Sequence, residues 1–323
     1  TRLQGDWSSD VCSSDLIASR KLDNHKKTMM KTTLIRKYGM LMVCLAMSFF
    51  VAMQVNGQTT YTWQGANNAS WATASNWTPA RNTPATNDIL QFNFGGTRTI
   101  TAMPNQTVGR IVFSNNTNVV LQASAGNTLT VGNGAGTDID IPSGSSLQLS
   151  TNVNLTLATN ATASIAGTLT VNAGRTFNNN NTGVVTTVTG TLSNAGTVTC
   201  TNAARLLIQS GGQYTHAQNA GTIPTATWNA ASTILFSGWG AATLAPGGIT
   251  QAFGNVVWNS PAQTGALSLA GSLNTVNGSF SVISTGTGSL SMGGTGAGNL
   301  TVAGKFTQSG GNFIGSLTAA RTI

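Results

Sequence analysis

A short phrase keeps returning along this chain: NTLTV at Asn127, GTLTV at Gly167, GTLSN at Gly190, GTVTC at Gly196, GSLNTV at Gly271, GSLSM at Gly288 and GNLTV at Gly298. Each alternates an apolar residue with Thr, Ser or Asn, the period of two expected of a strand with one buried and one wet face. From about Asp88 the same alternation runs through DILQFNF, RTITAM, GRIVFS, NVVLQA, NTLTVG, TDIDIP, SSLQLS and VNLTLA, separated by Gly and Asn turns. Helical spacing is absent, so no helix is available to carry crossovers.

Many near-identical strands at short intervals leave two all-β solutions. The first is a right-handed parallel β-helix, a β-solenoid in which each coil of about 20–25 residues gives two or three short strands paired with their equivalents above and below. The alternative is a tandem of antiparallel β-sandwiches, which predicts hairpin turns and strands of ordinary length. The solenoid is more economical: the repeated phrase becomes the unit of stacking, and inward Leu, Val and Ile form one continuous core. Asparagine fits it too. The run Asn178–Asn181, like the Asn and Gly at nearly every turn, suits corners that need left-handed backbone and can stack side-chain amides from coil to coil.

The N-terminal region reads differently. Residues 29–57 open with Lys31, Arg36 and Lys37, continue in an uncharged run from Tyr38 to Met53, and offer small-residue cleavage before Gln58. That is the layout of a secretory signal peptide, and the apolar run falls short of the roughly 20 residues a membrane span needs. Cys44 lies within the run and follows Val43, which is not the lipoprotein arrangement. Upstream, GDWSSDVCSSDL at Gly5–Leu16 resembles the in-frame translation of a common sequencing-library adapter. Residues 1–28 are therefore read as an artefactual or untranslated leader, expected to pack against nothing in the solenoid.

The net charge of +8 divides evenly, half before the cleavage point and half after it. From Gln58 onward the cations are Arg81, Arg98, Arg110, Arg175, Arg205, Lys305 and Arg321, against Asp88, Asp138 and Asp140. They form no run or basic face, which excludes the electrostatic signature of a nucleic-acid binder. This part of the chain has no glutamate, one histidine (His216) and one cysteine (Cys200), so no intramolecular disulfide staples it. Recurrent Val, Ile, Leu and Thr argue against disorder.

Two segments carry a resemblance. Residues 58–88 include TYTWQGANNASWATASNWTPARNTPATND, with Trp63, Gly65, Trp71, Trp77, Pro79 and Asp88 at set intervals. The segment resembles the W-x-G…W…NW…P…D opening of bacterial secreted repeat proteins of the autotransporter-associated β-strand type. Ser232 to Val276 is similar to the F-x-G…Q-x-F-x-N modules of large surface proteins from Bacteroidetes-type bacteria. The resemblance implies a Trp-rich N-terminal cap over 58–88, solenoid repeats over 89–323 cut short at the C-terminus, and a secreted or cell-surface adhesin-like protein. Partners are expected among surface glycans or other cell-surface proteins; no cofactor is expected, the scattered charges argue for no nucleic acid, and nothing after the cleavage point is apolar enough to span a membrane.

Candidate chemistry is sparse. Asp138 and Asp140, two apart in TDIDIP, share a strand face and are the weak candidates for a cation. Asp88 suits a turn or cap. His216 has no nucleophile or carboxylate near it in sequence and is expected on a polar surface; Cys200 is expected to be a buried small apolar residue. Trp63, Trp71 and Trp77 could stack on sugars, or cover the open first coil. The leading expectation is a structural or adhesive solenoid without a catalytic site. The alternative is a carbohydrate-binding or polysaccharide-degrading β-helix, whose mark would be Asp138, Asp140 and a basic residue converging in a groove.

Overall fold

The computed structural model describes residues 29, 58–293 and 300–315. The adapter-like stretch, and the signal-like segment apart from Met29, lie outside the described residues. Residues 58–323 cluster as a unit of their own.

The eight alternating segments from DILQFNF to VNLTLA all become strands, from Ile89–Phe92 to Val153–Leu157. Each strand pairs in parallel with its equivalents one rung before and one rung after. Leu147, for example, stands in register with Val119 on one side and Leu169 on the other. Rungs range from 20 residues, where Gln213 pairs with Thr233, to 31, where Ala69 pairs with Ile100; Ile111 and Ile139 are 28 apart. The result is a parallel β-solenoid. Its longest wall is an 11-stranded sheet from Ala69–Ser70 to Phe306–Gln308, and a nine-stranded sheet and a five-stranded sheet complete the cross-section over the first rungs. Among the described residues the one antiparallel pairing joins Thr60–Trp63 to Trp77–Thr78, so the sandwich alternative does not apply. Among the described residues from 58 onward the helical content is two 3₁₀ turns, Ala74–Asn76 and Ala203–Arg205.

In-register parallel pairing turns the period of two into rows. Val119, Leu147, Leu169, Leu192, Tyr214, Ile234, Val256 and Phe280 form one inward row of the long sheet, and all are buried. Burying one such leucine is worth about 1.5–3 kcal/mol relative to exposing it. The adjoining inward row, Leu149, Val171, Asn194, His216, Phe236 and Trp258, shifts from aliphatic to aromatic where the cross-section changes. The five-stranded sheet ends at Thr197–Thr199 and the nine-stranded sheet at Thr227–Trp228. Beyond them, bridges from Thr222 to Gly247, Leu244 to Ser268 and Phe253 to Val276 carry parallel stacking through irregular chain. Trp239, Phe253 and Trp258 fill the core there, supplying bulk where fewer strand residues point inward.

The glycine that opens the repeated phrase has a steric cause. Gly167 and Gly190 each sit in the two-residue turn from the nine-stranded sheet to the long sheet, donating to Ile141 and Ile165 carbonyls respectively. A Cβ on Gly190 would collide with the backbone carbonyls of Ala166 and Gly167 in the rung below. The asparagine expectation divides. Asn68, Asn115, Asn116, Asn133, Asn152 and Asn160 take left-handed backbone. The run Asn178–Asn181 does not: Asn178 ends a strand and Asn179 is buried, so its role is hydrogen bonding between rungs.

Candidate functional site

The Trp-rich opening folds over the first rung. Trp63, Trp71 and Trp77 are all at most 2% exposed. Trp77 meets Trp63 and Trp71 edge to face, with ring centroids 4.9 and 5.2 Å apart, and Phe92 continues the cluster at 5.8 Å from Trp77. Their ring faces are occupied by one another, so a sugar-stacking role has no open indole to use here; they cover the end of the core. Trp71 donates its indole N–H to Gln106 Oε1 at 2.8 Å and Trp77 to the Trp71 carbonyl at 3.0 Å.

Asp88 locks the same cap. Its Oδ2 accepts from Arg81 Nε at 2.8 Å and from the Ala85 backbone N–H at 2.9 Å, and Arg81 Nη2 lies 2.7 Å away. Arg81 in turn packs its guanidinium over Tyr61 and Trp77 and donates to Gln106. Both charges are buried. A pair in that setting is costly to break, because the survivor is left charged without a partner.

Asp138 and Asp140 do not act together. Asp138 is buried at the corner before Ile139–Ile141, where Oδ1 accepts from Gly134 N–H at 3.0 Å and Oδ2 from Thr162 N–H at 2.7 Å. It ties the Gly132–Thr137 loop, the excess length of the 28-residue rung, to the strand above. Asp140 faces outward from the nine-stranded sheet between Val112 and Ser164. Arg110 donates to the Thr137 carbonyl at 2.8 Å. Among the described residues no group of three or more His, Cys, Asp or Glu could hold a metal.

His216 departs from its expected surface position and is fully buried. It pairs with Asn194 and Phe236 in register, so it occupies an inward slot, and it stacks on Trp239 with centroids 6.0 Å apart. Its Nε2 lies 2.5 Å from the Ala220 carbonyl, while Nδ1 is buried without a partner. Burial holds its pKa below the ordinary histidine value, only partly opposed by that carbonyl. The clue was its phase: QYTH aligns with TLSN one rung below and TILF one rung above. Cys200 is buried as expected, donating its thiol to the Asn202 carbonyl, and burial pushes its pKa up, which keeps it protonated.

The outer walls carry the polar half of the alternation as stacked rows, as the repeated phrase leads one to expect. On the five-stranded sheet one outward row is Thr107, Thr130, Thr156, Asn178 and Thr199, paired in register. The next is Asn105, Thr128, Asn154, Thr176 and Thr197, joined by register and by Asn side chains. On the long sheet a shallow groove of about 490 Å³ runs past Asn118, Gln148, Thr168, Thr170 and Thr191. None of these residues is charged. Among the described residues no helix is long and apolar enough to cross a membrane. Comparison of the chain with protein-family models, with curated proteins and with solved structures finds no match.

Proposed function

We propose that the chain is a secreted or surface-displayed structural and adhesive β-solenoid, a stalk whose walls make many weak contacts and which carries no catalytic site of its own. The observation behind this reading is how the acidic and nucleophilic side chains are used. Asp88 holds the cap through Arg81, Asp138 ties a loop to the next rung, and His216 and Cys200 lie inside the core. Export is supported by the signal-like layout of residues 29–57, and surface display by the resemblance of residues 58–88 and of Ser232 to Val276 to bacterial surface repeat proteins. Partners on this reading are surface glycans or other cell-surface proteins.

The test is expression from Met29 in a Gram-negative host, with mass spectrometry of the processed chain and protease treatment of intact cells. The expected result is a new N-terminus at Gln58 and protein reachable from outside. An uncleaved product retained in the cytoplasm overturns the reading. A second reading, binding of neutral polysaccharide, is favoured by the uncharged groove on the long sheet. It expects retarded migration through glucan- or xylan-containing gels that Gln148→Ala relieves.

A further inference from the structure

The wall built by the five-stranded sheet differs from the other two. All ten of its outward positions in the two rows are Thr or Asn. The nine-stranded sheet presents Val112, Asp140 and Leu207 at comparable positions, and the long sheet presents Val120, Leu235 and Val257. Strand stacking fixes one repeat of the Thr/Asn face at about 4.8 Å, and the two-residue period fixes the other at roughly 6.6–6.8 Å. Hydroxyl, methyl and amide groups therefore stand on a two-dimensional grid.

The grid is held in place from below. Asn105 and Asn154 accept the backbone N–H of the next rung at 2.7 and 2.9 Å, and Asn178 accepts the Thr199 hydroxyl at 2.9 Å. Asn180 extends the pattern by accepting both the N–H and the hydroxyl of Thr201. Side chains fixed in this way lose little freedom when a ligand arrives. Arg175 and Arg205 border the face, each turned to a neighbouring rung, the first to Asn152 and the second to the Asn180 carbonyl.

The ligand should share these properties. A charged polymer finds no countercharge in either row, and a sugar chain finds no aromatic platform and is periodic in one direction only. A crystal of water is uncharged, offers donors and acceptors, and repeats in two directions over distances of the same size as the grid. The geometry points to ice: the Thr/Asn face of the five-stranded sheet adsorbs to ice crystals, its threonine methyls and hydroxyls ordering water into the lattice, with many weak contacts acting at once. This inference goes beyond the stalk reading and requires only the solenoid fold.

The experiment measures thermal hysteresis and ice-crystal shape with the full chain, alongside Thr156→Tyr and Thr130→Lys on the face and Thr187→Tyr on the outer face of the nine-stranded sheet. Circular dichroism selects the variants that keep the β signal of the parent. The expected result is faceted ice and a hysteresis gap for the parent and Thr187→Tyr, lost in each folded face variant. Absence of hysteresis in the folded parent overturns the inference, as does equal loss in Thr187→Tyr. Binding to insoluble chitin or cellulose that Thr156→Tyr abolishes, without hysteresis in the parent, also overturns it. Failure of export would leave these measurements unchanged, so the two readings fail separately.

Discussion

A proton on His216 would place a charge among Tyr214, Phe236 and Trp239, with its Nδ1 facing no acceptor. Its folded-state pKa lies below the unfolded value, so its contribution to stability is complete above about 6.5 and is lost as pH falls through the window below that value. The expected outcome is a melting temperature that drops with acidification below this point, and a flatter pH profile for His216→Phe. Cys200 gives a second residue-scale test: thiol reagents should modify it slowly in the native protein and fast in denaturant, because the reactive thiolate is disfavoured inside. The burial of Cys200 follows from its residue type and strand position, but that of His216 does not. Histidine is polar by habit, and only its register with Asn194 and Phe236 reveals the inward slot.

At the scale of the strand and turn, much was legible. Period-two alternation located the strands from Ile89–Phe92 to Val153–Leu157 because each faces a core on one side and water on the other. The irregular chain between Phe236 and Asn255 was not legible, since its order rests on tertiary contacts such as Gln251 with Pro224 and Trp228 and not on a local pattern. Turn glycines carry a sharp prediction. Gly190→Ala should destabilise the fold by about 1–3 kcal/mol, read as a lower urea midpoint, because the added methyl meets backbone that cannot swing aside. Leu169→Ala in the middle of the inward row should cost about 2–5 kcal/mol in the same assay.

For residues 58–315 as a whole, stability is approximately a sum over rungs and their interfaces. Local damage should therefore propagate only as far as the neighbouring rungs hold. Asp88→Ala, which leaves Arg81 buried and unpaired, is expected to cost about 3–5 kcal/mol, with hydrogen-exchange protection lost first in Thr60–Trp63 and Ile89–Phe92. Protection around Val256 should persist. The clustered tryptophans of the opening segment were conspicuous in sequence, but the choice between an exposed platform and a cover depended on Trp77 folding back beside Trp63, a contact that spacing does not encode.

That returning strand, Trp77–Thr78, gives the structure a sense of time as well as of space. It closes the edge of the nine-stranded sheet at the end that leaves the ribosome first, so each later rung of that sheet meets a finished template. Assembly then resembles bricklaying upward from a footing. A circular permutant that delivered Thr60–Asp88 last would have to hold every course upright without one.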